Sequence, residues 1–390
     1  MALLNENFLK LKQSYLFAKI AAEKEKFISN NKDKKLIDLS IGDVTLPLTN
    51  TCIDGIDKAK RILSSKETFT GYPPSSGHLF LKNEIIKNDY ENLGCQLKVD
   101  ELFISDSSKS DISNILDVFS NEITVAIQDP VYPVYVDSNL MRDNKILLFD
   151  DFSNLPKEHI DILYICSPNN PTGKVLSKET LTTLVNYALE NDSIIFFDGA
   201  YESYIESPDT VNSIYEIPNA KKVAVEFRSY SKTAGLTSLR LAYSIIPMEI
   251  NLKTNSNDLI SLNSLVKRLK DTKYNGPSFL SEYAIYNSYI QDGKKELRKN
   301  IEYYKKNTRM LSDAFKGNGL PINSPYVWLK CRDNMSSWDY FYYLLENYGI
   351  IGTPGAGFGN NGEGYFRLTG FSSYEDTLEV IQRLKKKDIL

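Results

Sequence analysis

Lys232 follows a short apolar run within Ser229-Tyr230-Ser231-Lys232-Thr233-Ala234-Gly235, and Arg240 stands eight residues further on. A lysine amine attacks aldehydes, hydroxyls such as those of Ser229 and Ser231 bind an anion beside it, and an arginine fork suits phosphate. Upstream, Asp198 closes the apolar run Ile194 to Phe197, after the turn Ser167-Pro168-Asn169-Asn170-Pro171-Thr172-Gly173. A carboxylate placed after such a run is costly unless a partner meets it. A protonated ring nitrogen is one such partner, and a cap on the strand-to-helix turn is the other reading. Tyr201, three residues later, either reaches the same ring or packs. An amine for an aldehyde, an anion for a pyridine nitrogen and donors for a phosphate are together the needs of pyridoxal phosphate.

The elements that must position these groups are legible as short apolar runs. Glu101–Ser105, Ile123–Ile127, Asp161–Ile165, Ser193–Phe197 and Val223–Phe227 alternate with helical stretches, a pattern that predicts a mainly parallel sheet covered on both faces. After Ser105, the spacing of Ile112, Ile115, Leu116 and Phe119 predicts a helix whose start lies at Ser107-Ser108-Lys109. Its free N–H groups would suit an anion, although capping accounts for the serines equally well. Beyond Thr272 the order changes to a long helical stretch from about Glu282 to Phe315, strands at Tyr326–Leu329 and Tyr365–Leu368, and helices at Ser337–Tyr348 and the C-terminal end. The expectation is an α/β chain with three parts: an N-terminal arm (1–48) shared with a smaller α+β domain (273–390), and a large coenzyme-binding domain (49–272).

Composition narrows the chemistry further. Only two histidines, His78 and His159, and four scattered cysteines, Cys52, Cys95, Cys166 and Cys331, are present among 390 residues, so histidine-based nucleophile systems and zinc sites have little to draw on. A formal net charge of -4 gives no reason to expect nucleic acid as a partner. No apolar run reaches the ~18 residues that a membrane helix needs, and the first residues lack the pattern of a signal peptide, which leads to the expectation of a cytoplasmic protein.

The order of these pieces resembles the fold-type I aminotransferases, and more narrowly the LL-diaminopimelate aminotransferase family. The resemblance runs from Ser14-Tyr15-Leu16-Phe17 and Leu39-Ser40-Ile41-Gly42-Asp43 through Gly71-Tyr72, Asn88-Asp89-Tyr90, Asp129-Pro130-Val131-Tyr132-Pro133, Asp198-Gly199-Ala200-Tyr201-Glu202 and Tyr274-Asn275-Gly276 to Gly362–Arg367. It implies that Lys232 carries the coenzyme and moves the substrate proton, that Asp198 keeps the pyridine nitrogen protonated, and that Tyr132 stacks on the ring. Asn170 and Tyr201 would bond the phenolate oxygen, while Ser108, Lys109, Ser229, Ser231 and Arg240 would hold the phosphate. Tyr72 and Asn275 would enter from the second subunit of a homodimer. Arg367 would clamp the substrate α-carboxylate, with Lys109, Tyr132 and Asn170 also lining the substrate side and Tyr15 and Gly42 closing the site.

The chain departs from the family pattern in places. Ser107-Ser108 stands where the family has Gly-Ala, and Gly199 where alanine is common. The larger departure is Gly71-Tyr72-Pro73-Pro74-Ser75-Ser76-Gly77, where the family reads Gly-Tyr-Gly-x-Glu-x-Gly and its glutamate grips the distal ammonium of diaminopimelate. With Ser75 there, the loss of one charge-assisted hydrogen bond is expected to make diaminopimelate roughly 10- to 150-fold poorer as a substrate. An aminotransferase with altered distal recognition is therefore the leading expectation. An LL-diaminopimelate aminotransferase proper, a lyase, decarboxylase or oxidase on the same fold, and a non-catalytic regulatory relative are the alternatives.

Overall fold

The structure, a computed structural model, describes residues 1–11, 16–316 and 320–385. The first strand, β1 (Ile37–Asp38), is short. Then come β2 (Leu102–Ser105), β3 (Thr124–Gln128), β4 (Lys145–Phe149), β5 (Ile162–Cys166), β6 (Ile194–Asp198), β7 (Ala224–Ser229) and β8 (Ala242–Ile245). β2 to β8 form one seven-stranded sheet in the order β2-β8-β7-β6-β5-β3-β4. The pairs from β4 through to β7 are parallel, whereas β8 runs antiparallel to both β7 and β2. The sheet is thus mixed and mainly parallel.

Successive side chains of a strand point to opposite faces, and this sheet buries both. One face packs Ala126, Leu163, Ile165, Ile195, Phe197 and Ala224 into a core with the helices Leu79–Ile85 and Lys178–Glu190. The other packs Val125, Ile127, Tyr164, Phe196, Val225 and Phe227 with Ile112, Leu116, Tyr135 and Val266. All five residues of β6 are buried, so Asp198 is carried into the interior by the same strand that makes the core.

A third core joins the two ends of the chain: Leu16, Ile20, Phe27, Ile37 and Leu39 pack with Val327, Phe341, Ile351, Phe366 and Leu368. β1 pairs in parallel with Ile350–Ile351, and Tyr326–Lys330 pairs antiparallel with Tyr365–Thr369. The arm is tied down by main-chain hydrogen bonds from Ile37 N–H to the Gly349 carbonyl at 2.8 Å and from Leu39 N–H to the Ile351 carbonyl at 2.7 Å.

Two local expectations need correction. The helical stretch expected from about Glu282 to Phe315 is two helices, Phe279–Ile290 and Gly293–Lys316, because the chain turns at Gln291 and at Asp292, which takes a positive φ of 60°. The helix after Ser105 keeps α geometry only over Ser108–Asn114 and tightens to a 3₁₀ turn at Ile115–Val118. Among the described residues no helix is long and apolar enough to cross a membrane.

Candidate active site

Asp198 ends β6 at the carboxyl edge of the sheet, where parallel strands deliver functional side chains. Its two oxygens have different tasks. Oδ1 accepts the Ala200 N–H at 3.1 Å, which is the turn-capping reading, and Oδ2 accepts the Tyr135 hydroxyl at 2.6 Å. Burial pushes the Asp198 carboxyl above the usual range, while the Tyr135 and Ala200 donors and the charge of Arg228 pull it back. A cation placed against this buried carboxylate would offset its desolvation, which a protonated ring nitrogen can do.

Lys232 lies on a single helical turn, Tyr230–Thr233, directly after β7. Ser229 caps that turn by accepting the Ser231 N–H at 3.3 Å. The lysine Nζ donates to the Gly42 carbonyl of the arm. Burial lowers its pKa to about 8, with Arg367 and Arg240 pushing the same way and Asp43 opposing. An amine so placed is neutral far more often at physiological pH than an exposed lysine, as a nucleophile or base must be.

The strand carrying Lys232 is anchored from behind. Glu226 on β7 is fully buried and accepts hydrogen bonds from Tyr90 Oη at 2.6 Å, Arg228 Nε at 2.9 Å, Ser213 Oγ at 2.8 Å and Ile214 N–H at 3.0 Å. Tyr289 donates to Asp89 and exchanges a hydrogen bond with the Tyr230 hydroxyl at 2.9 Å. The Asp89-Tyr90 pair of the sequence motif is therefore a support for β7 and its following turn.

A cavity of about 360 Å³ opens between these groups. Gly42, Ser108, Lys109, Tyr132, Asn170, Asp198, Tyr201, Ser229, Ser231, Lys232, Arg240 and Arg367 all line it. At one end, Arg240 Nη1 reaches Ser231 Oγ at 3.4 Å, and Ser108 and Lys109 occupy the first turn of their helix, where main-chain N–H groups have no partner within the helix. Burial and the nearby Arg240 hold Lys109 below the usual lysine range, as expected of cations gathered without their anion.

At the other end Arg367 is 1 % exposed. Its Nη1 donates to Asn170 Oδ1 at 2.7 Å and its Nη2 to the Ser40 carbonyl at 2.6 Å. The guanidinium is stacked 4.1 Å from the Tyr326 ring centroid and 4.8 Å from that of Phe358. Tyr326 and Tyr201 share a hydrogen bond of 2.7 Å between hydroxyls. Gly42 lies so close to the Tyr326 hydroxyl that a Cβ there would collide with it.

The residues of the cavity thus fit pyridoxal phosphate end to end: basic and hydroxyl groups at one end, an amine and a buried carboxylate in the middle, and an arginine for a carboxylate at the other. A family model, "Aminotransferase class I and II", matches residues 34–384. The chain belongs to that family. This aminotransferase is 46% identical to the LL-diaminopimelate aminotransferase of Lawsonia intracellularis and 44% identical to that of Phocaeicola vulgatus, each over 99% of both chains. Its fold superposes on the L,L-diaminopimelate aminotransferase of Chlamydomonas reinhardtii with a TM-score of 0.90, at 36% identity, over 99% of this chain and 98% of that one. The Thermus thermophilus aspartate aminotransferase shares the fold, with a TM-score of 0.85 at 18% identity over the whole of both chains. The aminotransferase is therefore a pyridoxal phosphate enzyme of fold type I, moving an amino group between an amino acid and a 2-oxo acid.

Three expected site residues lie elsewhere on this subunit. Tyr72 is 87% exposed, and Ser75 and Asn275 are exposed as well, none of them lining the cavity. They form one raised patch, because the loop 71–77 packs on the segment 274–276. Tyr15 lies outside the described residues. Sequence reasoning missed Tyr135 and Tyr326, which also line the cavity. Tyr135 had a signal, being one helical turn beyond Tyr132; Tyr326 had none, since its role arises from contact with residues far away in the chain.

Proposed function

We propose that this aminotransferase resembles the LL-diaminopimelate aminotransferases in its reaction but reads the distal end of its substrate without the loop glutamate, Ser75 standing in that place. The observation that carries the reading is the convergence of Lys232, Asp198 and Arg367 on one cavity. Bound there, pyridoxal phosphate supplies an electron sink for the pair of electrons left when the substrate Cα–H bond breaks. Lys232 holds the coenzyme, then accepts the proton from Cα and returns it on the coenzyme side. Asp198, kept ionised by Tyr135, holds a proton on the ring nitrogen, and Tyr132 stacks on the ring. Asn170 and Tyr201 bond the phenolate oxygen, and Ser108, Lys109, Ser229, Ser231 and Arg240 hold the phosphate.

Arg367 grips the α-carboxylate through a bidentate pair, with Asn170 fixing the angle of the guanidinium. Gly42, and Tyr15 of the arm, close the site. The exposed Tyr72 and Asn275 act in the site of a second copy of the chain, so the working unit is a homodimer with shared sites. Borohydride reduction of the loaded enzyme and peptide mapping should place the coenzyme on Lys232, and Lys232→Ala should abolish turnover. A label on another lysine would overturn the assignment.

A further inference from the structure

Asp271 stands near the end of the helix Leu262–Lys273, amid Lys267, Arg268, Lys270 and Lys273. A carboxylate there faces the negative end of the helix dipole and gains nothing from it. The flanking cations do not compensate. Lys270 is turned inward to a buried ion pair with Asp111 at 2.8 Å, Lys273 pairs with Asp117, and Arg268 bonds Thr272 Oγ1 at 3.0 Å. Among the described residues Asp271 makes no ion pair, and its hydrogen-bond partner is Ser75, whose hydroxyl donates to Oδ1.

The loop that brings Ser75 to Asp271 is stiff. Pro73 and Pro74 fix two backbone angles. Gly276 takes a φ of +87° and lies against them, so closely that a Cβ would stand 2.8 Å from Pro73 Cγ. Tyr72, Ser75, Asp271 and Asn275 are thereby held on one exposed face. A carboxylate oriented by a hydroxyl and lacking a cation of its own is a ready acceptor for an ammonium group.

We propose that Asp271 supplies the negative charge that reads the distal end of the substrate, and that the amino acid taken by this enzyme carries a second, cationic amine. The proposal rests on the reading that this face closes the site of the partner subunit. Ser75 is then a positioning residue for Asp271, and the charge lost from the loop is restored from the neighbouring helix. Diaminopimelate, which the sequence alone would make a poor substrate, belongs to the accepted class.

The test compares kcat/KM for LL-diaminopimelate and for 2-aminoheptanedioate, which has the same length and both carboxylates but no distal amine. Asp271→Asn keeps the shape and can still accept from Ser75. It should lower kcat/KM for diaminopimelate roughly 10- to 150-fold while changing that for 2-aminoheptanedioate by less than about 3-fold. Asp271→Glu should recover part of the preference, and Ser75→Glu should bring no gain, since the new carboxylate would face Asp271. Equal losses for both substrates, no loss for either, or a gain in Ser75→Glu would overturn the proposal.

A mixed dimer of Lys232→Ala and Asp271→Asn subunits separates this failure from failure of the shared-site reading. Its single Lys232-bearing site faces a native Asp271 across the interface, so native preference is expected. If the Asp271→Asn homodimer loses the preference and the mixed dimer loses it too, Asp271 acts within its own subunit and only the shared-site reading falls.

Discussion

The Tyr135 hydroxyl donates to Asp198 Oδ2 at 2.6 Å, from the helix Val134–Met141 to the end of the neighbouring strand β6. Burial works against a charge on Asp198, and this donor is the first of the groups that offset it. Tyr135 also packs at 5.2 Å against Tyr164, so its hydroxyl is held in place by a stacked pair. The coenzyme's ring nitrogen would meet a carboxylate whose charge depends on a phenol.

Tyr135→Phe should therefore leave the fold intact and push the Asp198 carboxyl further up. Loss of one hydrogen bond to a charged group, about 1.5–3 kcal/mol, should lower kcat roughly 10-fold or more and move the acid limb of the pH–rate profile to higher pH. An acid limb that stays in place would show that Asp198 keeps its charge by other means.

The lowered pKa of Lys232 gives a second expected outcome. Burial favours the neutral amine, so protonation of Lys232 in the coenzyme-free enzyme is lost as pH rises through about 8. Only the neutral amine attacks the aldehyde. The rate of coenzyme uptake, followed by absorbance, should rise with pH and level off above a midpoint near 8, rather than near the 10.5 of an exposed lysine. A midpoint at 10 or above would mean that water reaches the amine freely.

Arg367→Lys keeps the charge and loses the planar fork. Asn170 Oδ1 and the Ser40 carbonyl then compete for one ammonium with the substrate carboxylate. kcat/KM for every amino acid should fall, by roughly 10- to 100-fold, mostly through KM, and the loss should be the same whatever the distal group. A loss that varies with the distal group would place Arg367 at the wrong end of the substrate.

Much of this was readable in the chain, for physical reasons that also mark where reading stops. Lys232 and Asp198 are each fixed by a local rule, a strand that ends in a functional residue, and the two strands lie side by side in the sheet. The buried pattern of β6 and β7 shows as apolar runs. Ser108 is likewise placed by the cap and face of a helix. By contrast, the bond from Ser75 to Asp271 joins positions 196 apart and depends on how an exposed loop folds over a helix end, for which no spacing rule exists. The break at Gln291-Asp292 was hidden because apolar residues continue at helical spacing on both sides of it.

The pairing of Ile37–Asp38 with Ile350–Ile351, and the bond from Arg367 to the Ser40 carbonyl across 327 positions, have a consequence for how the protein is made. During translation the sheet from β2 to β8 can form as soon as it emerges, and with it the strand ends bearing Asp198 and Lys232. The wall made by Ile41, Gly42 and Asp43 cannot be set until residues 350–367 exist, because its anchors come from there. A nascent chain stopped before Arg367 would thus present an open, unwalled lysine, and tight capture of the coenzyme should come only once the last strand has been synthesised.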